Sequence, residues 1–353
     1  MKVIWLHIKD WLKALFWAFL AVWIIRTFLL QGAFIPSQSM EKTLLSGDFI
    51  FISKWQYGAR TPMTLLSMPF MHQQMPFSNS TPSYSDLIQL PYLRLPGFSA
   101  IKREDVIVFN YPMEGERPVD KRTYYVKRCI GLPGDTLEIF AKQVIINSDT
   151  LVSRPEYQFV RKIKARSLLS QEWLDSLGVT EGGLVSNMLD YEFPLTDSLT
   201  RIIAAHADVY SVMMRLDKRE EFHAYIFPHS RKHTFNNDFW GPVIVPAAGM
   251  SVPLNDSTIL FYERIIRDYE EHDLKFAGGQ FFIDGVLSES YTFKYDYYFG
   301  MGDNRDFSAD SRSWGFIPEN HIIGKALLVF FSVNSISNQH SGVRWNRLFK
   351  LIR

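Results

Sequence analysis

Residues 124–140 read YYVKRCIGLPGDTLEIF, and this stretch decides the fold class. Tyr124–Ile130 and Thr136–Phe140 are short runs of aromatic, β-branched and apolar residues, the composition of strands. Between them, Leu132-Pro133-Gly134-Asp135 has turn chemistry, because Pro presets φ and Gly accepts a positive φ. Working outward, the same short apolar runs bounded by Gly, Pro, Asp and Asn recur. They stand at Phe49–Ser53, Val106–Asn110, Val144–Ile146, Gln280–Ile283 and Ile322–Ser332. Beyond Pro36 the chain therefore reads as mainly β. Two segments in the middle have helical spacing instead, Pro155–Leu177 and Asp256–His272, the second with an N-cap residue in front. Tyr57–Ser99, rich in Pro, Ser, Met and aromatics, lacks periodicity and reads as an elaborated surface segment. The expected division is an N-terminus and apolar helix (1–33), a β core in two parts (34–136 and 280–353, the latter with a C-terminal tail), and an inserted second domain (137–279).

Ahead of the β pattern, Ala14–Leu30 reads ALFWAFLAVWIIRTFLL, apolar except for Arg26 and Thr27. About 17 such residues is near the minimum for a membrane-spanning helix. Lys13 and Arg26 can snorkel at its two ends. A cleaved signal peptide would be followed by small residues, but Gln31–Pro36 reads QGAFIP. A soluble core helix would show a polar face, and this run has almost none. The expectation is one uncleaved transmembrane anchor. Lys2, Lys9 and Lys13 before the run predict a cytoplasmic N-terminus and an exterior remainder.

The 353 residues carry 38 basic and 37 acidic side chains, a formal charge of +1. That balance excludes the basic footprint of a nucleic-acid binder. A single cysteine, Cys129, excludes an intramolecular disulfide framework and a multi-thiolate metal site. There is no G-x-S-x-G elbow, no H-E-x-x-H and no phosphate-cradling glycine loop. His229 and His233 are four residues apart without a third ligand beside them and read as solvated or satisfied.

Chemistry is concentrated in three segments: Ile35–Met40 (IPSQSM), Tyr125–Asp135 (YVKRCIGLPGD) and Met301–Phe316 (MGDNRDFSADSRSWGF). Lys127 lies in a strand between apolar neighbours. A buried lysine loses the hydration of its charged form, so its pKa falls and it can take a proton from a serine. Taken alone, the segment favours a Lys127 that reaches solvent beside Arg128. In the third segment, Asp303, Arg305, Asp306, Asp310 and Arg312 suggest a hydrogen-bonded network under a site, and a solvated charged loop fits as well. Two arginines among the carboxylates argue against calcium.

Taken together and in this order, these segments resemble the bacterial type I signal peptidases, in particular an elongated subgroup. The matching boxes are IPSQSMEKTLLSGD (Ile35–Asp48), KREDVIVF (Lys102–Phe109), YVKRCIGLPGD (Tyr125–Asp135) and MGDNRDFSADSRSWGFIP (Met301–Pro318). The resemblance implies an antiparallel β fold with a LexA-like catalytic core, a long inserted α+β region and one N-terminal transmembrane helix. It implies a membrane-bound serine endopeptidase that removes signal peptides at Ala-x-Ala sites of exported preproteins. Ser39 matches the nucleophile and Lys127 the general base. Ser308 matches the serine that orients the lysine, and Ser37 an oxyanion-hole donor. Asp310 and Arg312 match a supporting ion pair, with Asp303 and Arg305 beside them. Phe34, Ile35, Pro36, Met40, Leu44, Tyr125 and Val126 fall where the family lines its substrate pockets. No metal or cofactor is implied. The implied partners are preproteins, the lipid bilayer and the translocon vicinity, with no nucleic acid. The implied place is the bacterial plasma (inner) membrane, single-pass, with the catalytic domain on the outer, periplasmic face. Phe307 stands where the family commonly has a polar residue, often Asn. The tail Arg344–Lys350 is basic and aromatic, and both a membrane-interface position and a packed terminal element fit it.

Overall fold

The computed structural model describes residues 2–78, 81–186, 189–334 and 342–353. Helix α1 (Lys2–Ile24) continues through a π-helical turn, Ile25–Leu29. Lys9–Leu29 is long and apolar enough to cross a membrane, and none of that stretch is buried against the rest of the chain. Side chains such as Trp11, Leu15 and Trp17 are exposed around it, as a helix surrounded by lipid requires.

The chain passes from this turn straight into a curled antiparallel sheet. Its strands are β1 (Leu30–Phe34), β2 (Asp48–Ser53), β3 (Val106–Asn110), β4 (Tyr124–Gly131), β5 (Tyr297–Met301), β6 (Ile317–Pro318), β7 (Ile322–Ser332) and β8 (Lys350–Leu351). Their spatial order is β1-β2-β7-β3-β4-β5-β6, with β8 added to β7. The fold is thus mainly β, as the sequence suggests. Strand β3 shows why the sheet has two cores. Val106 and Val108 face a cluster with Ile35, Met40, Leu44, Ile50 and Ile52, whereas Ile107 and Phe109 face Cys129, Trp314, Ile317 and Ile322. This is the two-residue alternation of a strand buried on both faces.

Most expected strands stand where the composition places them. Pro155–Leu177 differs. Phe159–Ala165 is a strand, paired on its two edges with Asp190–Leu195 and Val209–Met214. Only Gln171–Ser176 is helical, and Ser170 caps it. Val160 and Ile163 satisfy helical spacing, but both strand edges find partners distant in sequence, and the ladder prevails. In Asp256–His272 the α-helix covers only Ile259–Arg264, followed by a π turn. Asn255 accepts from the Ser257 and Thr258 N–H groups, at 2.9 and 3.0 Å, and so holds the entry as a turn.

The middle of the chain supplies two further bodies of structure. A four-stranded sheet built on Phe159–Ala165 packs its own core of Ile163, Leu174, Tyr191, Phe193 and Ile203. A second sheet pairs Thr136–Phe140 with Phe239–Ile244 and shares a core with β5 through Leu137, Val243, Tyr297 and Phe299. Residues 57–78 and 81–99 supply the two limbs of a long irregular hairpin, which meet at Arg60/Arg94, Thr64/Gln89 and Ser67/Tyr84. The C-terminal tail is packed. Arg347 is buried on Asp48, with Nε 2.9 Å from Oδ1, and donates to the Thr43 carbonyl at 3.1 Å, while Trp345 and Phe349 stay exposed.

Candidate active site

β1 ends at Phe34, and the chain then turns sharply so that Ser39 faces β4. The turn is held by Glu41 N–H donating to the Gln38 carbonyl (2.9 Å) and Leu44 N–H to the Met40 carbonyl (2.7 Å). Lys127 projects from β4 with its Nζ 2.7 Å from Ser39 Oγ. The ammonium nitrogen also lies 3.0 Å from the Val126 carbonyl. Lys127 is only 3% exposed. Burial lowers its pKa to about 8, opposed by the negative charges of Asp310 and Asp303 and assisted by Arg312. The pair is thus a hydroxyl and a largely desolvated amine within proton-transfer distance.

Glycines make room for this approach. A Cβ at Gly302 would lie 2.2 Å from Ser308 Oγ and 2.4 Å from the Ser39 carbonyl oxygen. Ser308 is therefore beside the pair, but the expected hydrogen bond to Lys127 is not formed. Ser308 Oγ is buried without a partner among the described residues.

Beneath the pair lie two buried ion pairs. Arg312 Nε and Nη2 donate to Asp310 at 2.9 and 2.8 Å, and the Gly302 N–H donates to the same carboxylate at 3.0 Å. Burial alone would raise the Asp310 pKa, but the Arg312 charge and these hydrogen bonds outweigh it and hold the group below the usual carboxylate range. Asp303 does not pair with Arg305. It takes a fork from Arg128, Nε at 2.8 Å and Nη2 at 2.6 Å, plus the Thr43 hydroxyl at 2.5 Å. Arg305 instead lies over the Tyr157 ring at 3.8 Å, a residue of the middle region. Asp306 pairs with Lys142 at 2.5 Å, and Lys142 with Asp238 at 2.6 Å. Each carboxylate of the loop thus holds a cation of the chain.

The pair opens into a cleft of about 750 Å³ between β1 and β4. Phe34, Ile35, Pro36, Ser37, Met40, Tyr125 and Val126 line it. Leu44 does not: it sits fully buried in the core behind that wall and backs the pocket. Ser37 is exposed to the cleft, and the Ser39 N–H donates to no acceptor among the described residues. Phe307 and Ala309 form part of the rim.

Sequence reasoning missed Arg128 and Glu181. Arg128 alternates with Lys127 along β4, so one neighbour faces the serine while the other grips Asp303 beneath it. That alternation was the available signal. Glu181 comes from the middle region, lines the cleft, and accepts from Asn304 Nδ2 at 2.5 Å. Lys42 fixes that segment by donating to the Gly178 carbonyl at 2.7 Å. Burial raises the Glu181 carboxyl above its ordinary range. No local feature of the sequence announces this contact.

Comparison with known proteins agrees with this architecture. The family described as "Signal peptidase, peptidase S26" matches residues 8–183 and 263–331. Signal peptidase I of Buchnera aphidicola subsp. Schizaphis graminum is 27% identical, over 96% of this chain and 80% of its own length. The Aquifex aeolicus protein of the same name is 27% identical over 90% of this chain and 82% of its own length. That of Haemophilus influenzae is 24% identical over 98% and 76%. The family match runs through the anchor, the sheet and the cleft alike, and the chain belongs to the peptidase S26 family of signal peptidases, serine endopeptidases that process signal peptides.

Proposed function

We propose that Ser39 and Lys127 form a catalytic dyad that cleaves preproteins after a small residue of an Ala-x-Ala site. The 2.7 Å approach of a buried amine to a serine hydroxyl carries this reading. Neutral Lys127 takes the Ser39 proton as Oγ attacks the scissile carbonyl, and the unengaged Ser39 N–H with the Ser37 side chain receives the developing oxyanion. One such donor is typically worth about 3 kcal/mol of barrier. The protonated lysine then gives its proton to the departing amine, and the ester left on Ser39 is hydrolysed by a water that Lys127 deprotonates. Asp303, Arg305, Asp310 and Arg312 keep the loop beneath the lysine in place without touching substrate. The Ser308 hydroxyl beside the pair, unpartnered among the described residues, is the group that would orient the lysine during the reaction. The apolar wall from Phe34 to Pro36, with Met40, Tyr125 and Val126, suits small uncharged side chains and excludes water.

The apolar helix Lys9–Leu29 and the direct passage into β1 support a single-pass anchor. Lys2, Lys9 and Lys13 ahead of the apolar run favour a cytoplasmic N-terminus with the catalytic core on the outer face, near the site where preproteins emerge from the translocon. Residues 34–136 and 280–353 then act as the catalytic core and 137–279 as an insertion that braces its loop through Tyr157 and Lys142. The test is cleavage of a preprotein in lipid by the wild type, Ser39→Ala and Lys127→Ala. Loss of cleavage in both is expected, by at least about 10³-fold. Wild-type rates in either would overturn the dyad, and unchanged cleavage after Ala→Leu at the residue before the scissile bond would overturn the pocket assignment.

A further inference from the structure

A second cavity, of about 210 Å³, opens where the anchor meets the catalytic core. Four basic side chains from four separate segments line it: Arg26 in the π turn, Lys54 after β2, Arg60 in the 57–99 hairpin and Lys121 before β4. Their hydrogen-bond and ring contacts are all with uncharged groups, and Asp120 acts on Arg60 and Lys121 only as a nearby negative charge. Lys54 Nζ donates to the Arg26 carbonyl at 2.9 Å, and Arg60 donates to the Asn320 carbonyl and Asn110 Oδ1 at 2.6 and 2.7 Å. Lys121 Nζ donates to Ser67 Oγ at 2.5 Å, and Arg26 lies over the Phe70 ring at 5.5 Å. One carboxylate faces the space, Asp120, whose oxygens are taken by the Thr64 hydroxyl at 2.5 Å and the Thr64 and Met63 N–H groups at 2.9 and 3.2 Å. His72, also in the lining, is kept uncharged at neutral pH, since burial pushes it down to about 4.

Four basic groups against one carboxylate, in a partly dehydrated space, is an arrangement short of counter-charge. The cost registers on the groups themselves. Burial, with the repulsion of Arg60 and Arg26, lowers Lys54 to about 7, and burial lowers Lys121 and Arg60 as well. The placement names the anion's source. Arg26 is three residues from the end of the candidate span, and Phe70 of the hairpin meets Phe19 of α1 edge-on at 5.2 Å. The hairpin thus touches the anchor at Phe70, and its Leu65, Leu66 and Met68 are exposed; with α1 read as membrane-spanning, these apolar side chains would meet acyl chains. Guanidinium and ammonium donors converging at that depth match a phosphate oxyanion.

We infer that this cavity binds a phosphate group, presented by a phospholipid head group of the surrounding bilayer. The inference rests on reading α1 as a membrane anchor. Gln31 and Tyr124 line both this cavity and the catalytic cleft, so a bound head group steadies the wall that the two spaces share.

The test uses the full chain in a neutral detergent and calorimetric titration with water-soluble dihexanoyl-phosphatidylglycerol. Inorganic phosphate and diacylglycerol serve as separate arms. One saturable site per chain is expected. It should be weakened by at least about tenfold in the Lys54→Gln/Lys121→Gln double variant and retained in Lys54→Arg/Lys121→Arg, with unfolding temperatures measured for both. Diacylglycerol should not bind, and inorganic phosphate should compete only at far higher concentration. Undiminished binding in a folded Gln double variant, or no saturable binding by the wild type, would overturn the site. Competition by inorganic phosphate at equal concentration would overturn the lipid source. Ser39→Ala should bind the lipid like the wild type, which separates failure of this site from failure of the dyad.

Discussion

With Lys127 held at about 8 by burial, the proposed dyad makes its ionisation set the pH dependence of cleavage. The base must be neutral, so kcat/KM should climb with pH on a limb centred near 8 and level off above it. A limb centred below 6 would mean that another group is the base. Gly302 sets a second expectation. A methyl group there would collide with Ser308 and with the Ser39 carbonyl, and a displacement of about 1 Å at a reacting pair can cost on the order of 10²-fold. Gly302→Ala should therefore lose about that much in kcat and, because the backbone must shift to admit the methyl, about 1–3 kcal/mol in urea unfolding. Asp310→Asn acts differently, because it strands the Arg312 charge in the interior. Breaking a buried pair from one side typically costs about 3–5 kcal/mol, which urea unfolding of the variant against the wild type would read directly.

At the scale of elements, β4 carries both the proposed base and the support for it, one on each face. Arg128→Lys removes the fork on Asp303 while keeping the charge. Hydrogen bonds to charged groups contribute about 1.5–3 kcal/mol each, so a loss of about 2 kcal/mol is expected in denaturant unfolding, with a smaller effect on catalysis than Gly302→Ala. The strands of the catalytic sheet were legible because runs such as VIVFN and YYVKRCI are short, β-branched and bounded by turn residues. Ser39 and Lys127 were legible through their boxes, although 88 residues separate them. What escaped the sequence depends on distant partners. FVRKIKA becomes a strand only because Asp190–Leu195 and Val209–Met214 come to its edges. Asp303 chooses Arg128 across 175 positions over Arg305 two residues away, because the loop's geometry, not charge proximity along the chain, decides which cation can reach. Leu44 was expected in the cleft and lies behind it, since the turn after Ser39 directs its side chain into the core.

For the whole molecule, the relation between anchor and sheet matters most. Ser39 stands ten positions beyond Leu29, and β1 locks five of the nine intervening residues into register with β2. Lys54 closes the junction, its N–H donating to the Leu29 carbonyl at 2.9 Å. The helix therefore acts as a ruler. In the proposed topology it would fix the height of the serine above the bilayer and leave almost no slack for searching, since even a fully extended ten-residue tether reaches only about 35 Å. Scissile bonds at the wrong height are then refused whatever their side chains. Placing a flexible Gly-Ser-Gly between Leu29 and Leu30 should relax this selection. Membrane-inserted preproteins should be cut at additional positions along the chain, read by mass spectrometry of the products, while a short soluble peptide is cut at its original bond. In the proposed topology, selection by altitude, set by one junction, would let a cleft with few specific contacts act on many different substrates.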